Sequence, residues 1–382
     1  MHEPRRSIIT IVLSLEGCRP RKVFGIMQPE QIRPKPLEPG AAIPATITAI
    51  MPAYNCRAFI ERSLAPLVAM QERGELCEIV VVDDGSTDGS AAAAASLGVR
   101  AVATGGRCGP GAARNLGARQ AKGDILWFVD SDVVVRSNAA QHIRSALADH
   151  NYVAVFGSYD DAPPARNFLS RYKNLVHHHY HQSGSGEATT FWAGCGAVRK
   201  SAFLDVGGFD ALRYPRPSIE DIELGYRLCA AGGRIRLAAE VQGTHLKVWT
   251  LRGLLITEIR DRALPWSFLL LSRGHTGDEL NIAMAERIRA LIASLCALFI
   301  VTSLAGLTSW WIPIALLSMA FAANLELFAL FLRRNGFLFA LGGLLFHQLY
   351  YLYSAAAYGW CWAVTKGQRL IPSRFHRSLR LE

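Results

Sequence analysis

A chain of 382 residues is too long for one small domain and suits two or three modules. With 51% hydrophobic and 19% charged residues, and unexceptional glycine and proline, it is neither largely disordered nor a low-complexity array. A net charge of +10 fits an anionic membrane face, a nucleotide substrate or nucleic acid. The apolar residues concentrate after residue 287 and lift mean hydropathy to +0.17, which favours the first two partners, and no nucleic-acid partner is expected. Eight scattered cysteines contain no CxxC pair. That sets aside zinc ribbons and redox motifs and suits a reduced, cytosolic catalytic part.

Residues 1–45 read as a disordered leader or linker. Arg5 and Arg6 precede an apolar run over 8–15, far short of the about 20 residues that span a bilayer. A Pro-rich stretch over 33–40 follows.

From residue 46 strands and helices alternate. The run 46–51 is β-branched and apolar and ends at Pro52, a buried strand met by a breaker. A helix over 58–70 leads to a strand over 78–82 that ends in Asp83-Asp84-Gly85-Ser86. An Ala-rich helix over 87–97, capped by Asp84 or Ser86, precedes a strand over 99–103 and a helix over 111–121. The strand 124–129 ends in Asp130-Ser131-Asp132. This order predicts an α/β fold with a mostly parallel sheet flanked by helices. Ligands of such sheets bind at the carboxyl ends of the strands, where the polar motifs lie.

Three acidic pairs carry the candidate chemistry. Asp83, at a strand end, suits a hydrogen bond from a base or ribose, or a helix cap. Asp130 and Asp132, two residues apart, point the same way and can share a hard cation that in turn holds a diphosphate, or they form a solvated turn. Glu220-Asp221 opens an amphipathic helix, where Asp221 is placed to act as a base or to serve as an ordinary acidic helix start. Upstream, Gly207-Gly208-Phe209-Asp210 is a flexible turn that brings the chain close to a ligand.

Pro52-Ala53-Tyr54-Asn55, Val81-Val82-Asp83-Asp84-Gly85-Ser86-Thr87-Asp88, Gly109-Pro110-Gly111-Ala112-Ala113-Arg114-Asn115, Asp130-Ser131-Asp132, Gly207-Gly208-Phe209 and Glu220-Asp221 occur in this order. Over residues 46–250 the chain resembles a family 2 glycosyltransferase of the GT-A fold. The resemblance implies an inverting reaction with a nucleotide-sugar donor and Mg²⁺ or Mn²⁺ on its diphosphate. It implies nucleotide-sugar contacts at Pro52, Tyr54, Asp83, Arg114 and Asp130, a metal at Asp132, and Asp221 as the general base. Cys56 departs from the acid that many members carry there. The resemblance also suggests His245 as a metal ligand, against a plain edge-strand histidine. The cluster His177, His178, His179 and His181 is read as structural or part of an acceptor loop, because consecutive residues cannot all face one ion. Trp192 suits a sugar or lipid platform and a core aromatic equally. Arg262 and Trp266 resemble the QxxRW motif of polysaccharide synthases only faintly, without its Gln, and that motif is not carried over.

Residues 251–286 have the composition of interfacial helices. Within 287–365, the stretches 288–307 and 310–332 are each long enough to span a membrane. Arg287, Arg289, Arg333 and Arg334 put the flanking ends inside. A third apolar stretch, 337–364, spans or lies re-entrant, and the side of the basic tail 366–382 stays open. The expectation is a multi-pass protein of the inner membrane with its catalytic domain cytoplasmic, acting on a lipid-linked or membrane-proximal acceptor. A nucleotidyltransferase and a catalytically dead membrane scaffold are the alternatives.

Overall fold

The computed structural model describes residues 45–273 and 283–370. Of the expected leader over 1–45 all but Ala45 lies outside the described residues; of the expected basic tail over 366–382, residues 366–370 continue the last helix and those from 371 onward lie outside. In chain order the elements are β1 (Ile47–Ala53), α1 (Ile60–Glu72), β2 (Glu78–Asp83), α2 (Ser90–Ser96), β3 (Arg100–Ala103), α3 (Pro110–Gln120), β4 (Ile125–Val129) and β5 (Val133–Val135). Then come α4 (Ala139–Ala148), β6 (Tyr152–Tyr159), α5 (Phe168–Ser183), β7 (Gly186–Ala188), β8 (Cys195–Arg199), α6 (Lys200–Asp205), α7 (Glu220–Ala230) and β9 (Arg234–His245). A short helix α8 (Leu251–Leu255), a π-helical segment (Ile256–Ala263) and α9 (Leu264–Arg273) lead to α10 (Met284–Leu304), α11 (Trp311–Ala322), α12 (Leu325–Asn335) and α13 (Phe337–Leu370).

The strands form one sheet in the order β3-β2-β1-β4-β8-β6-β9-β5, with β7 paired to β9. The first four strands are parallel, as their alternation with helices requires. Beyond β4 the sheet is mixed, since β8 runs antiparallel to both β4 and β6. The central strands are buried on both faces. Ile125, Trp127 and Val129 of β4 enter one core, and Leu126 and Phe128 enter the other, the period-two alternation of a strand between two helical layers. Helix α1 covers the first face with Ile60, Leu64, Leu67 and Met70 at helical spacing.

Two local expectations are corrected. Pro52 does not stop the first strand, which runs on to Ala53, whose carbonyl accepts the Asp84 N–H at 2.8 Å. The helix expected over 87–97 begins only at Ser90, and neither Asp84 nor Ser86 caps it. Gly89 takes the N-cap position at φ +84°, and Asp88 Oδ1 accepts the Ser90 N–H at 3.0 Å.

The C-terminal helices share a core with the α/β part. Tyr172, Leu175 and Val176 of α5 pack with Leu327, Leu330 and Phe331 of α12 and with Ala340 and Leu344 of α13. The buried His347 adds a 2.8 Å hydrogen bond between Nδ1 and the Tyr172 hydroxyl. Among the described residues α10, with 21 residues and a mean hydropathy of 1.8, is long and apolar enough to cross a membrane. The stretch expected as a second continuous span is two helices, α11 and α12, bent by 71° where the chain breaks at residues 323–324. There Asn324 turns its side-chain amide back to the Ala320 carbonyl at 2.8 Å. The third stretch is a single 34-residue helix, α13.

Candidate active site

The loops after β1 and β2 are tied together by side chains that the sequence places at their tips. The Asn55 N–H donates to Ser86 Oγ at 3.0 Å, and the Thr87 N–H donates to Asn55 Oδ1 at 2.9 Å. Asn55 sits at φ +47°, a region that Asn tolerates better than most residues. Cys56, at the departure from the family pattern, is buried, and its N–H donates to Ser90 Oγ at 2.8 Å. Asp83 Oδ1 accepts the Ser86 N–H at 3.2 Å and shapes this turn; Asp83 is not among the residues lining the adjoining cleft, whereas Pro52, Tyr54 and Asp84 are. The buried Asp84 carboxylate accepts the N–H groups of Cys108 and Gly109, each at 2.8 Å, and the Thr104 hydroxyl at 3.0 Å. It therefore anchors the start of α3. At the mouth of the cleft the Arg107 guanidinium lies 4.3 Å from the Tyr54 ring centroid.

Gly109 has φ +91°, and a Cβ there would lie 2.4 Å from the Pro215 carbonyl oxygen, so only glycine lets α3 approach the loop before α7 this closely. One turn into α3, the buried Arg114 joins two acidic motifs. Its Nη2 donates to Asp130 Oδ1 at 2.6 Å and its Nη1 to Glu220 Oε1 at 3.0 Å. Burial alone would lower the Arg114 pKa, but the charges of Asp130, Glu220 and Asp221 raise it above its usual value. The neighbouring Asn115 pairs twice with Phe209, through N–H to Oδ1 at 2.9 Å and Nδ2 to the carbonyl at 2.8 Å. That fixes the Gly-Gly-Phe turn against α3.

The short strand β5 runs antiparallel to the end of β9, with Val133 opposite His245. This register brings His245 Nε2 to 3.4 Å from Asp132 Oδ2. Burial pushes the Asp132 carboxyl up, but the His245 contact and the charges of His245 and Lys247 outweigh it and hold the group below its usual range. Among the described residues no three His, Cys, Asp or Glu side chains converge on one point. Asp132 and His245 thus fit a divalent cation that takes its remaining ligands from substrate oxygens and water. Asp130 lines the same cleft but is turned toward Arg114.

Asp221 lies in the first turn of α7. Its Oδ1 accepts its neighbour's N–H, from Ile222, at 2.8 Å, and its Oδ2 accepts the Ala193 N–H at 3.1 Å. Burial, followed by the Glu220 charge, raises its pKa to about 6, against the lowering effects of the Ala193 bond and the Arg114 and Arg262 charges. A carboxylate tuned this close to neutrality is what a general base requires.

These groups line one cleft of about 1100 Å³. Past Asp221 it continues along the π-helical segment, where the buried Glu258 meets Lys173 Nζ at 2.8 Å and Arg262 Nη1 at 3.4 Å. Trp266 donates to the Tyr226 hydroxyl at 3.2 Å and holds this segment on α7. The far end reaches Ala290, Leu291 and Ser294 of α10 and Tyr358 and Gly359 of α13. Arg262 and Trp266 therefore line the cleft even without the Gln of the motif they resemble. The four histidines sit on the helix α5 rather than in a loop. His181 Nδ1 bonds the Gly157 carbonyl at 2.7 Å, His178 Nδ1 bonds that of Tyr159 at 2.8 Å, and His177 and His181 line the cleft beside Trp192. Lys173 and Glu258 are cleft residues that no motif announced.

Residues 48–207 match the profile of Glycosyl transferase family 2. This segment is a family 2 glycosyltransferase domain. The chain is 28% identical over 233 residues to the pre-mycofactocin glycosyltransferase of Mycobacterium tuberculosis, covering 57% of this chain and 47% of that protein. It is 28% identical over 242 residues to the validoxylamine A glucosyltransferase of Streptomyces hygroscopicus subsp. limoneus, covering 52% and 51%. The chain thus spans about half the length of these relatives. A mannosyltransferase from Pyrobaculum calidifontis, solved with GDP-Man and Mn²⁺, has the same fold at 21% identity and a TM-score of 0.55. The likeness covers 86% of this chain and 91% of that one, so it extends beyond the glycosyltransferase domain into the C-terminal helices. The GT-A fold expected from the sequence is the fold observed.

Proposed function

We propose that the chain is an inverting glycosyltransferase that moves a sugar from a nucleotide-sugar donor to a hydroxyl acceptor. The observation that carries this reading is the single cleft lined by two separate acidic sites, Asp132 with His245 and Asp221, held by different elements. Inversion needs the nucleophile to attack opposite the departing phosphate, so the base and the diphosphate subsite must be distinct. Pro52 and Tyr54 form the nucleotide end, Asp130 meets the ribose or phosphate, and Asp83 shapes the loop between them. Arg114 adds positive charge beside the donor while keeping Asp130 and Glu220 in place. A divalent cation held by Asp132 and His245, Mg²⁺ or Mn²⁺, would take charge off the leaving nucleoside diphosphate; the archaeal mannosyltransferase of the same fold holds Mn²⁺ with its donor. Asp221 accepts the proton of the acceptor hydroxyl, and the Ala193 N–H fixes its orientation. Such a base contributes about 10²–10⁴-fold, and positioning and charge stabilisation supply most of the rest.

The acceptor in this reading is lipid-linked or membrane-proximal. What supports it is the continuation of the cleft to α10 and α13, and the length and apolarity of α10. In this reading the catalytic domain lies on the cytosolic face of the inner membrane, supported by Arg287 and Arg289 at the start of α10. The test is detergent-solubilised protein incubated with a panel of nucleotide sugars, with Mn²⁺ or Mg²⁺, with and without a membrane lipid extract. Release of nucleoside diphosphate, raised by the extract, is expected. Release of pyrophosphate would instead mean nucleotidyl transfer, and no metal-dependent turnover with any donor would mean a scaffold.

A further inference from the structure

Four rings stack into a column along the cleft wall. His245 lies 4.3 Å from Tyr159 at an interplanar angle of 8°, His177 lies 4.2 Å from Tyr159, and His181 lies 3.9 Å from His177. Two rings this close to one phenol must cover its opposite faces, so the order is His245, Tyr159, His177, His181. Trp192 packs against three of them, 4.8 Å from Tyr159, 4.6 Å from His177 and 5.3 Å from His181. One end of the column touches Asp132 through His245, and Trp192 precedes Ala193, whose N–H holds Asp221. The column and Trp192 together therefore run from Asp132 toward Asp221, along the cleft wall between the two acidic sites.

Among the three imidazoles of the column His177 is the one with neither nitrogen hydrogen-bonded to the protein; the Tyr159 hydroxyl beside it, on another cleft-lining ring, also has no protein hydrogen-bond partner among the described residues. His181 bonds the Gly157 carbonyl, and His245 meets Asp132. His177 Nδ1 is buried without a partner. Its Nε2 makes no hydrogen bond and is not enclosed, and the ring lines the cleft. Burial, with the charges of His181, Lys173 and Arg262 next, keeps the ring neutral. A neutral imidazole suits an uncharged donor-acceptor group better than a phosphate or a metal already served by Asp132.

We propose that His177, through Nε2, binds a hydroxyl group of the transferred sugar and sets which sugar the cleft accepts. This rests on the glycosyltransferase reading. His177→Phe keeps a stacking ring and removes the hydrogen bond, and His177→Gln returns an amide near the position of Nε2. Calorimetry on the full chain compares binding of a nucleotide sugar with binding of the matching nucleoside diphosphate. The wild type should bind the preferred nucleotide sugar about tenfold tighter than the diphosphate, His177→Phe should lose most of that increment with diphosphate affinity unchanged, and His177→Gln should recover part of it. Against donors with single hydroxyls removed, His177→Phe should discriminate less than the wild type in kcat/KM. An undiminished increment in His177→Phe, a fall in diphosphate affinity equal to the fall for the nucleotide sugar, or a wild type in which the sugar adds nothing would each overturn the assignment. Absence of diphosphate release by the wild type with every donor would instead defeat the glycosyltransferase reading, while the binding increment still decides the role of His177.

Discussion

The Ala193 N–H donates to Asp221 Oδ2 at 3.1 Å, so the carboxylate at the start of α7 is held by the segment that enters β8. Its orientation therefore depends on the main chain of the turn leading into a central strand and not on its own helix alone. The bond survives when the carboxylate becomes an amide whose oxygen takes the same position.

Asp221→Asn should accordingly keep donor binding and lose transfer. Turnover is expected to fall by about 10²-fold or more, since the amide cannot take a proton. Calorimetry of the nucleotide sugar and product release on the same preparation measure both. Equal loss of binding and turnover would make Asp221 a structural helix start, and unchanged turnover would move the base to another group.

The raised pKa fixes the sign of the pH dependence. As the proposed base, Asp221 would act when ionised, so turnover should fall as pH drops through about 6 rather than through the ordinary carboxylate range near 4. Arg262 favours the ionised form, so Arg262→Met should move this midpoint upward. Folding carries the opposite sign. A carboxyl whose pKa is higher in the folded state than in the unfolded chain opposes folding once ionised, and this penalty is absent below about pH 4 and complete above about pH 6. Asp221→Asn loses one acceptor, since its amide nitrogen must face the Ile222 or the Ala193 N–H, so the pH effect is read as a difference: relative to the wild type the variant should melt higher at pH 7 than it does at pH 4. A pH–rate profile and melting curves at the two pH values check these outcomes.

Asp132→Ala removes one of the two side chains that fit the cation. Metal-dependent turnover should be largely lost, and so should the tightening of nucleoside diphosphate binding by Mn²⁺, which calorimetry with and without the ion reads directly. Near-normal turnover by a folded variant would show that the cation binds elsewhere.

Arg114→Met leaves Glu220 buried without its cation, a change that typically costs about 3–5 kcal/mol. The melting temperature should drop sharply. Adding Glu220→Gln should recover much of the loss, because the uncompensated charge and not the missing side-chain volume dominates. Failure of the double variant to recover would assign the loss to Asp130, the other carboxylate held by the guanidinium, or to packing against Phe209, 5.5 Å away.

The parallel half of the fold was legible because each strand is a compact apolar run followed at once by a polar tip, as in Glu78–Asp83 and Ile125–Val129. The second half was not. β8 pairs with β4 across some seventy residues of chain and is interrupted in pattern by Gly194 and Gly196, so its place in the sheet depends on tertiary packing. Asp130, Asp132 and Asp221 stood out because acidic residues at strand and helix starts are visible in one dimension. Asp83 was equally visible; its Oδ1 accepts the Ser86 N–H, a local contact that spacing does not decide, and its Oδ2 keeps acceptor capacity. Lys173 and Glu258 carried no signal, since they meet only when the π-helical segment is brought against α5; His177 was visible in its cluster, but spacing could not tell which of the four histidines faces the cleft. The break between α11 and α12 was hidden for a related reason, because hydropathy is blind to the direction of a helix axis.

Helix α5 presents His177 and His181 to the cleft on one side and Tyr172 and Leu175 to the C-terminal helices on the other. The chain is consequently less modular than its linear division at residue 250 suggests. A hybrid joining this catalytic half to the helices of a relative would inherit a mismatched seam along α5 unless that helix travelled with its partners α12 and α13, and moving it would carry the histidine wall of the cleft along. The cleft wall and the C-terminal helical core would therefore change together.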